Sequence, residues 1–160
     1  MADYPTKQFL GSAQTVINTA TDIAAAAFSG APSANFVNND ATYPNAPLAL
    51  AMAEFPDWAA APVAGTVVEL WGLLHNTDGT DDDTQVPSGS ASGGARYFGA
   101  WAISADDALQ RRTIVISLEG IIGSMEVAFY IKNGTAQNMN NDGGTSCVVK
   151  ITPFTYGITV

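Results

Sequence analysis

The sequence is short of reactive side chains: its 160 residues hold one cysteine and one histidine. That scarcity removes most metal clusters and thiol–imidazole pairs, and no catalytic constellation and no cofactor are expected. Cys147 has no second cysteine to bridge, so no intramolecular disulfide can staple the fold. It lies in the alternating apolar stretch TSCVVKIT and reads as a small buried hydrophobe in a strand. Cations are few as well: six Lys+Arg stand against fifteen Asp+Glu, a formal net charge of -9. Phosphate binding needs a basic surface that six scattered cations hardly supply, which argues against a nucleic-acid partner. Long apolar runs are also missing. The nearest, Ala24 to Phe28, is far below the ~18 residues that span a bilayer. The stretch MADYPTKQFLGS lacks the basic region and apolar run of a signal peptide. The expectation is a soluble chain with no membrane partner, made in a reducing, cytoplasmic setting.

What is present is apolar and regular. Hydrophobic residues make up 47% and charged ones 13%, which excludes overall disorder, and the length suits a single domain. Residues 1–46 are rich in Ala, Asn, Ser, Thr and Pro and read as an N-terminal arm, with a short strand at Gln14 to Ile17, a helical turn at Asp22 to Phe28 and a long connection from Gly30 to Pro47. Residues 47–160 read as the core. Six strand-length runs lie there: PLALAMAEF, TVVELWGLLHN, ARYFGAWAIS, RRTIVISLEG, MEVAFYIKN and TSCVVKITPF. In Met125 to Lys132, Met125, Val127, Phe129 and Ile131 alternate with Glu126, Ala128, Tyr130 and Lys132, the period-2 pattern of a strand half buried on a core. Its expected partner is Cys147 to Thr152. Val67 to Leu74 is apolar on both faces except at Glu69, as in a central strand covered on both sides or a face that meets another chain. No pattern of ten residues or more offers a crossover helix. The fold class is therefore all-β, an antiparallel β-sandwich or jelly roll with an irregular N-terminal arm.

Several motifs resemble chemistry without its context. Gly89-Ser90-Ala91-Ser92-Gly93 matches the G-x-S-x-G nucleophile elbow, but no helix follows it and His75 precedes the serine, so it reads as a flexible Ser/Gly loop. Asp78, Asp81 and Asp83, with Asp82, form an acidic cluster that could offer oxygen ligands to Ca²⁺ but lacks the register of an EF-hand loop; it reads first as a solvated loop. His75 reads as a strand-end surface residue beside it. Asp106-Asp107 and Arg111-Arg112 read as a polar turn whose charges pair locally or across an interface. Asn133-Gly134 is a turn signal, and Asn133-Gly134-Thr135 fits a glycosylation sequon that has no use in a chain without a secretion signal. Trp58, Trp71 and Trp101 read as core or interface bulk.

The order of LALAMAEF, APVAGTVVELWG, a polar Gly/Ser/Asp loop, ARYFGAWAIS, a strand after Arg111, FYIKNGT and VKITPF resembles small virion structural proteins of tailed bacteriophages, from about Pro47 to Phe154. The resemblance implies a non-enzymatic β-sandwich or jelly roll, made in the host cytoplasm and built into the virion. Its partners would be the major capsid protein or other virion subunits and further copies of itself. A decoration or cement role on the capsid comes first; a tail, collar or fibre-attachment component is the alternative. From a different class comes a carbohydrate- or receptor-binding module that stacks ligands on Trp58, Trp71 or Trp101. The arm is expected to lie along a neighbouring subunit, with Tyr4, Phe9, Phe28, Phe36 and Trp58 as partner-binding candidates.

Overall fold

Apolar character over a strand's length, bounded by Gly, Pro, Asn or Asp, makes each of the six runs a strand. The computed structural model of the protein describes residues 6–41, 44–76, 85–140 and 146–158. In chain order the strands are β1 (Thr6–Leu10), β2 (Gln14–Thr19), β3 (Phe36–Val37), β4 (Leu48–Phe55), β5 (Val67–Asn76), β6 (Arg96–Ala102), β7 (Gln110–Ser117), β8 (Met125–Asn133) and β9 (Cys147–Ile158). There is no helix among the described residues.

All strand pairs are antiparallel and fall into two sheets. In the first, β9 lies between β4 and an edge made by β1 and β2 end to end, and β7 flanks β4. In the second the order is β3-β8-β5-β6. If β1 and β2 are taken as one interrupted strand, the chain pairs as nested ribbons: β2 with β9, β3 with β8, β4 with β7 and β5 with β6. Of the two architectures expected, this nesting is the jelly roll. It also corrects one pairing. β8 lies between β3 and β5, in the sheet opposite β9, because nesting separates strands that are neighbours in sequence.

The core lies between the sheets. Ala49, Ala51, Ala53 and Phe55 of β4 face inward with no exposed surface, as do Val68 and Leu70 of β5 and Val127, Phe129 and Ile131 of β8. The alanines leave room for a large partner. Trp101 fills it, donating its indole N–H to the Ala51 carbonyl at 3.1 Å and meeting Phe55 edge to face at 5.6 Å. Two glycines are needed by the same packing: a Cβ on Gly72 would stand 2.6 Å from Phe98 and Val127, and one on Gly99 2.8 Å from Ile114.

The segment read as an arm is part of this fold. Val16, Ile17, Ile23 and Phe36 belong to the central core, and a bulge between Thr15 and Ile17 turns Val16 and Ile17 inward together. Asp22 to Phe28 is not helical. It bridges Met139 and Lys132 and turns at Ala26, whose φ is 56°. Beyond it, Ser29 N–H donates to the Ile131 carbonyl at 2.8 Å, so residues 27–29 line the edge of β8.

Candidate functional site

The two sheets treat their outer faces differently. Over the second sheet the chain folds back on itself. Phe28, Leu73, Ala95, Ala128 and Tyr130 form a separate buried cluster there, with Trp71 packed against it. Phe28 N–H donates to the Gly89 carbonyl at 2.8 Å, tying two covering segments together. β5 is thus central and covered on both sides.

The outer face of the first sheet carries no such cover among the described residues. Strand alternation and register place Leu48, Leu50, Met52 and Glu54 of β4 outward. Ser117, Val115, Thr113 and Arg111 of β7 lie beside them, and Val148, Lys150, Thr152, Phe154 and Tyr156 of β9 on the other side. Leu10 of β1 lies opposite Phe154. Leu10 is 54% exposed, Met52 45%, Val115 59% and Tyr156 60%, a concentration of large apolar side chains on one surface. Tyr156 stands edge to face on buried Phe154, ring centroids 5.5 Å apart, so it projects from a firm base. At the other end of β9, Met52, Ala53, Glu54, Arg111, Val148 and Lys150 line a hollow of about 200 Å³. Its acid is paired: Arg111 Nε donates to Glu54 Oε2 at 2.7 Å. That hydrogen bond and the carboxylate's charge hold the Arg111 pKa above its ordinary value. Lys150 adds one further positive charge, so this face is locally +1 (Arg111 and Lys150 against Glu54) in a chain of -9.

Three of the expected partner-binding residues are buried. Phe36 and Trp58 are in the central core, 0% and 4% exposed, and Phe28 is in the second cluster at 8%. Buried within their own subunit, they have no surface to offer. Phe9 is half-buried on β1, and Tyr4 lies outside the described residues, as do Asp78, Asp81 and Asp83. Among the described residues no group of three potential ligands is placed to hold a metal ion.

The other motifs resolve individually. Gly89 to Gly93 contains a turn closed by reciprocal 3.0 Å bonds between Ser88 and Ala91, and no helix follows it among the described residues. His75 pairs with Glu126 across β5 and β8, and its Nε2 is buried without a hydrogen-bond partner. Arg112 does not reach the Asp106-Asp107 pair; it donates to the Ala102 carbonyl at 3.1 Å and to Gln110 Oε1 at 2.8 Å. Asn133 is wholly buried, so the sequon is closed to modification in the folded chain. Cys147 is free and buried, and burial pushes its thiol up to about 12. Of the three tryptophans, Trp101 is 1% exposed and Trp58 4%, which leaves Trp71. Trp71 meets the exposed Tyr97 edge to face at 5.5 Å and donates to Glu69 at 2.8 Å. Beside Tyr97, a cavity of about 370 Å³ is lined by Arg96, Phe98, Ser117 and Glu119.

The open apolar face was missed from the sequence because size misleads in LALAMAEF. The leucines and methionine point out and the alanines in, the reverse of what hydrophobic bulk alone implies.

No family model matches the chain, and no curated protein or solved structure matches it. The described residues include no helix long and apolar enough to cross a membrane.

Proposed function

We propose that this chain is a non-enzymatic structural subunit of a tailed-bacteriophage virion, a decoration or cement protein that binds and stabilises the capsid shell. The observation that carries the reading is the outer face of the first sheet, uncovered among the described residues, where Leu10, Leu50, Met52, Val115 and Tyr156 meet the paired Glu54 and the cation Lys150. A contiguous apolar surface of low charge suits lasting contact, since little is lost in desolvating it. The sequence resemblance supplies the particle, and jelly rolls recur in capsid and lectin domains alike, a support by analogy of fold.

Counting the copies of this chain in purified particles by mass spectrometry, with an electron-microscopy map, tests the reading. The expected result is many symmetry-related copies on the shell surface. A few copies at one vertex would assign a tail, collar or fibre-attachment role instead, and absence from particles would end the virion reading. A carbohydrate-binding reading is favoured by one observation, the Trp71, Tyr97 and Glu69 group beside the Arg96 and Glu119 cavity. Saturable binding of a glycan by the isolated chain, lost in Tyr97→Ala, would establish it.

A further inference from the structure

We propose that the open face of the first sheet binds a second copy of this chain, forming a two-fold dimer in which Tyr156 of each copy fills the other's hollow. The proposal rests on reading this face as an interface, and it names the occupant.

Charge permits a copy at this face more readily than elsewhere on the chain. Two chains of -9 repel, and contact is least opposed where each presents no unpaired acid. This face meets that condition, with Glu54 held by Arg111 at 2.7 Å. Size also fits. Four strand rows about 4.8 Å apart and the nine residues from Val148 to Tyr156 at about 3.3 Å give a footprint of roughly 570 Å². Side-chain relief brings that toward the ~800 Å² a stable interface takes from each partner.

The register supplies the symmetry. Val115, Leu50 and Thr152 are opposite one another and form one row across β7, β4 and β9. A two-fold axis along this row lays each strand over its own copy in the opposite direction. Val115 then meets Val115 and Leu50 meets Leu50. Tyr156 lies four residues beyond the row on β9 and Val148 four before it, so each tyrosine stands over the other copy's Val148. Val148 lines the hollow, together with Met52, Glu54, Arg111 and Lys150. The ring enters an apolar floor, and its hydroxyl meets the hollow's polar groups. The charged end of each face meets the Leu48 and Tyr156 end of its partner, so like charges stay apart. An axis parallel to the strands would instead bring the two Lys150 ends together. Two packed sheets would sit about 10 Å apart, as in a sandwich interior.

Sedimentation of the full chain over a concentration series tests the proposal. Reversible dimers are expected, weakened about thirty-fold by Tyr156→Ala, the loss typical of an aromatic anchor seated in a pocket. Val115→Lys sets two cations on the axis and should abolish the dimer. Circular dichroism of both variants confirms that they fold. Thr152→Cys lies on the axis, and with Cys147 buried it supplies the thiol for a bis-maleimide reaching about 10 Å, matching the spacing of packed sheets. Covalent dimers are expected from Thr152→Cys and none from Ser90→Cys on the opposite side. A monomer at every concentration overturns the proposal, as does a dimer indifferent to Tyr156→Ala or Val115→Lys, or one that Thr152→Cys fails to trap. A monomer found on virions would overturn the dimer and keep the virion reading; a dimer absent from particles would do the reverse.

Discussion

Replacing Asn133 by alanine tests how far one buried amide holds the end of the second sheet. Its Nδ2 donates to the carbonyls of Ile23 at 3.1 Å, Ala24 at 3.3 Å and Gln137 at 2.8 Å. Its Oδ1 accepts from Thr135 N at 3.1 Å and Thr135 Oγ1 at 2.8 Å. Most of these partners keep another bond. The Ile23 carbonyl still accepts from Met139 N, the Ala24 carbonyl from Ala27 N, and the Gln137 carbonyl from Thr135 Oγ1. Only Thr135 N–H is orphaned, costing about 1–3 kcal/mol, and the void left by three heavy atoms adds about 1 kcal/mol. The expected loss is therefore about 3 kcal/mol, or roughly 9 °C in Tm for a chain of this length. Urea unfolding followed by tryptophan fluorescence measures it, and a loss below about 1 kcal/mol at unchanged slope would refute the accounting. Asn133→Asp should be worse at neutral pH, because a buried carboxylate would face three carbonyl oxygens. Burial raises such a carboxyl's folded pKa, so the deficit should grow as pH rises from about 4 to 7 and shrink in acid.

Three further outcomes follow from the same packing. Trp101→Phe should cost about 1 kcal/mol more than Trp58→Phe in urea unfolding, because Trp101 loses its 3.1 Å bond to Ala51 whereas the buried Trp58 indole N–H has no partner to lose; equal costs would contradict this. Gly93→Ala should destabilise by about 2 kcal/mol more than Gly89→Ala. Both glycines have positive φ, but only at Gly93 does a Cβ stand 1.9 Å from the Gln85 carbonyl oxygen. Thermal melts of the two variants compare them, and equal shifts would count against the clash. Cys147 should resist a thiol reagent at pH 8 in the native chain and react in urea; its raised pKa means that its contribution to stability is full below pH 9 and fades as pH climbs toward about 12. Rapid native labelling would show that the strand opens.

Much of this architecture is legible in the chain, for reasons that also explain what is not. The six runs from PLALAMAEF to TSCVVKITPF are all strands because each is an apolar run of strand length between turn-formers, five of them rich in β-branched or aromatic residues. Pairing is non-local, and so β8 could not be matched to β5 rather than β9 by inspection. β2 is faint because its bulge sends Val16 and Ile17 the same way and breaks the alternation. Phe28 and Phe36, aromatic residues in irregular sequence, resemble contacts waiting for a partner, yet the sandwich folds over them. The open face is hidden by the inverted sizes along β4, which make sense only once Trp101 is seen against Ala51.

The place of β9 has a consequence for how the molecule is made. It lies between β4 on one side and β1 and β2 on the other. During synthesis those strands therefore wait, unpaired along the edges that β9 will join, until residues 147–158 emerge from the ribosome. The first sheet must close after translation of that segment, by contacts spanning nearly the whole chain, a topology that folds slowly. In the interval the apolar edges of β2 and β4 are open to other nascent copies, so crowded synthesis favours strand exchange between chains unless a chaperone shields them.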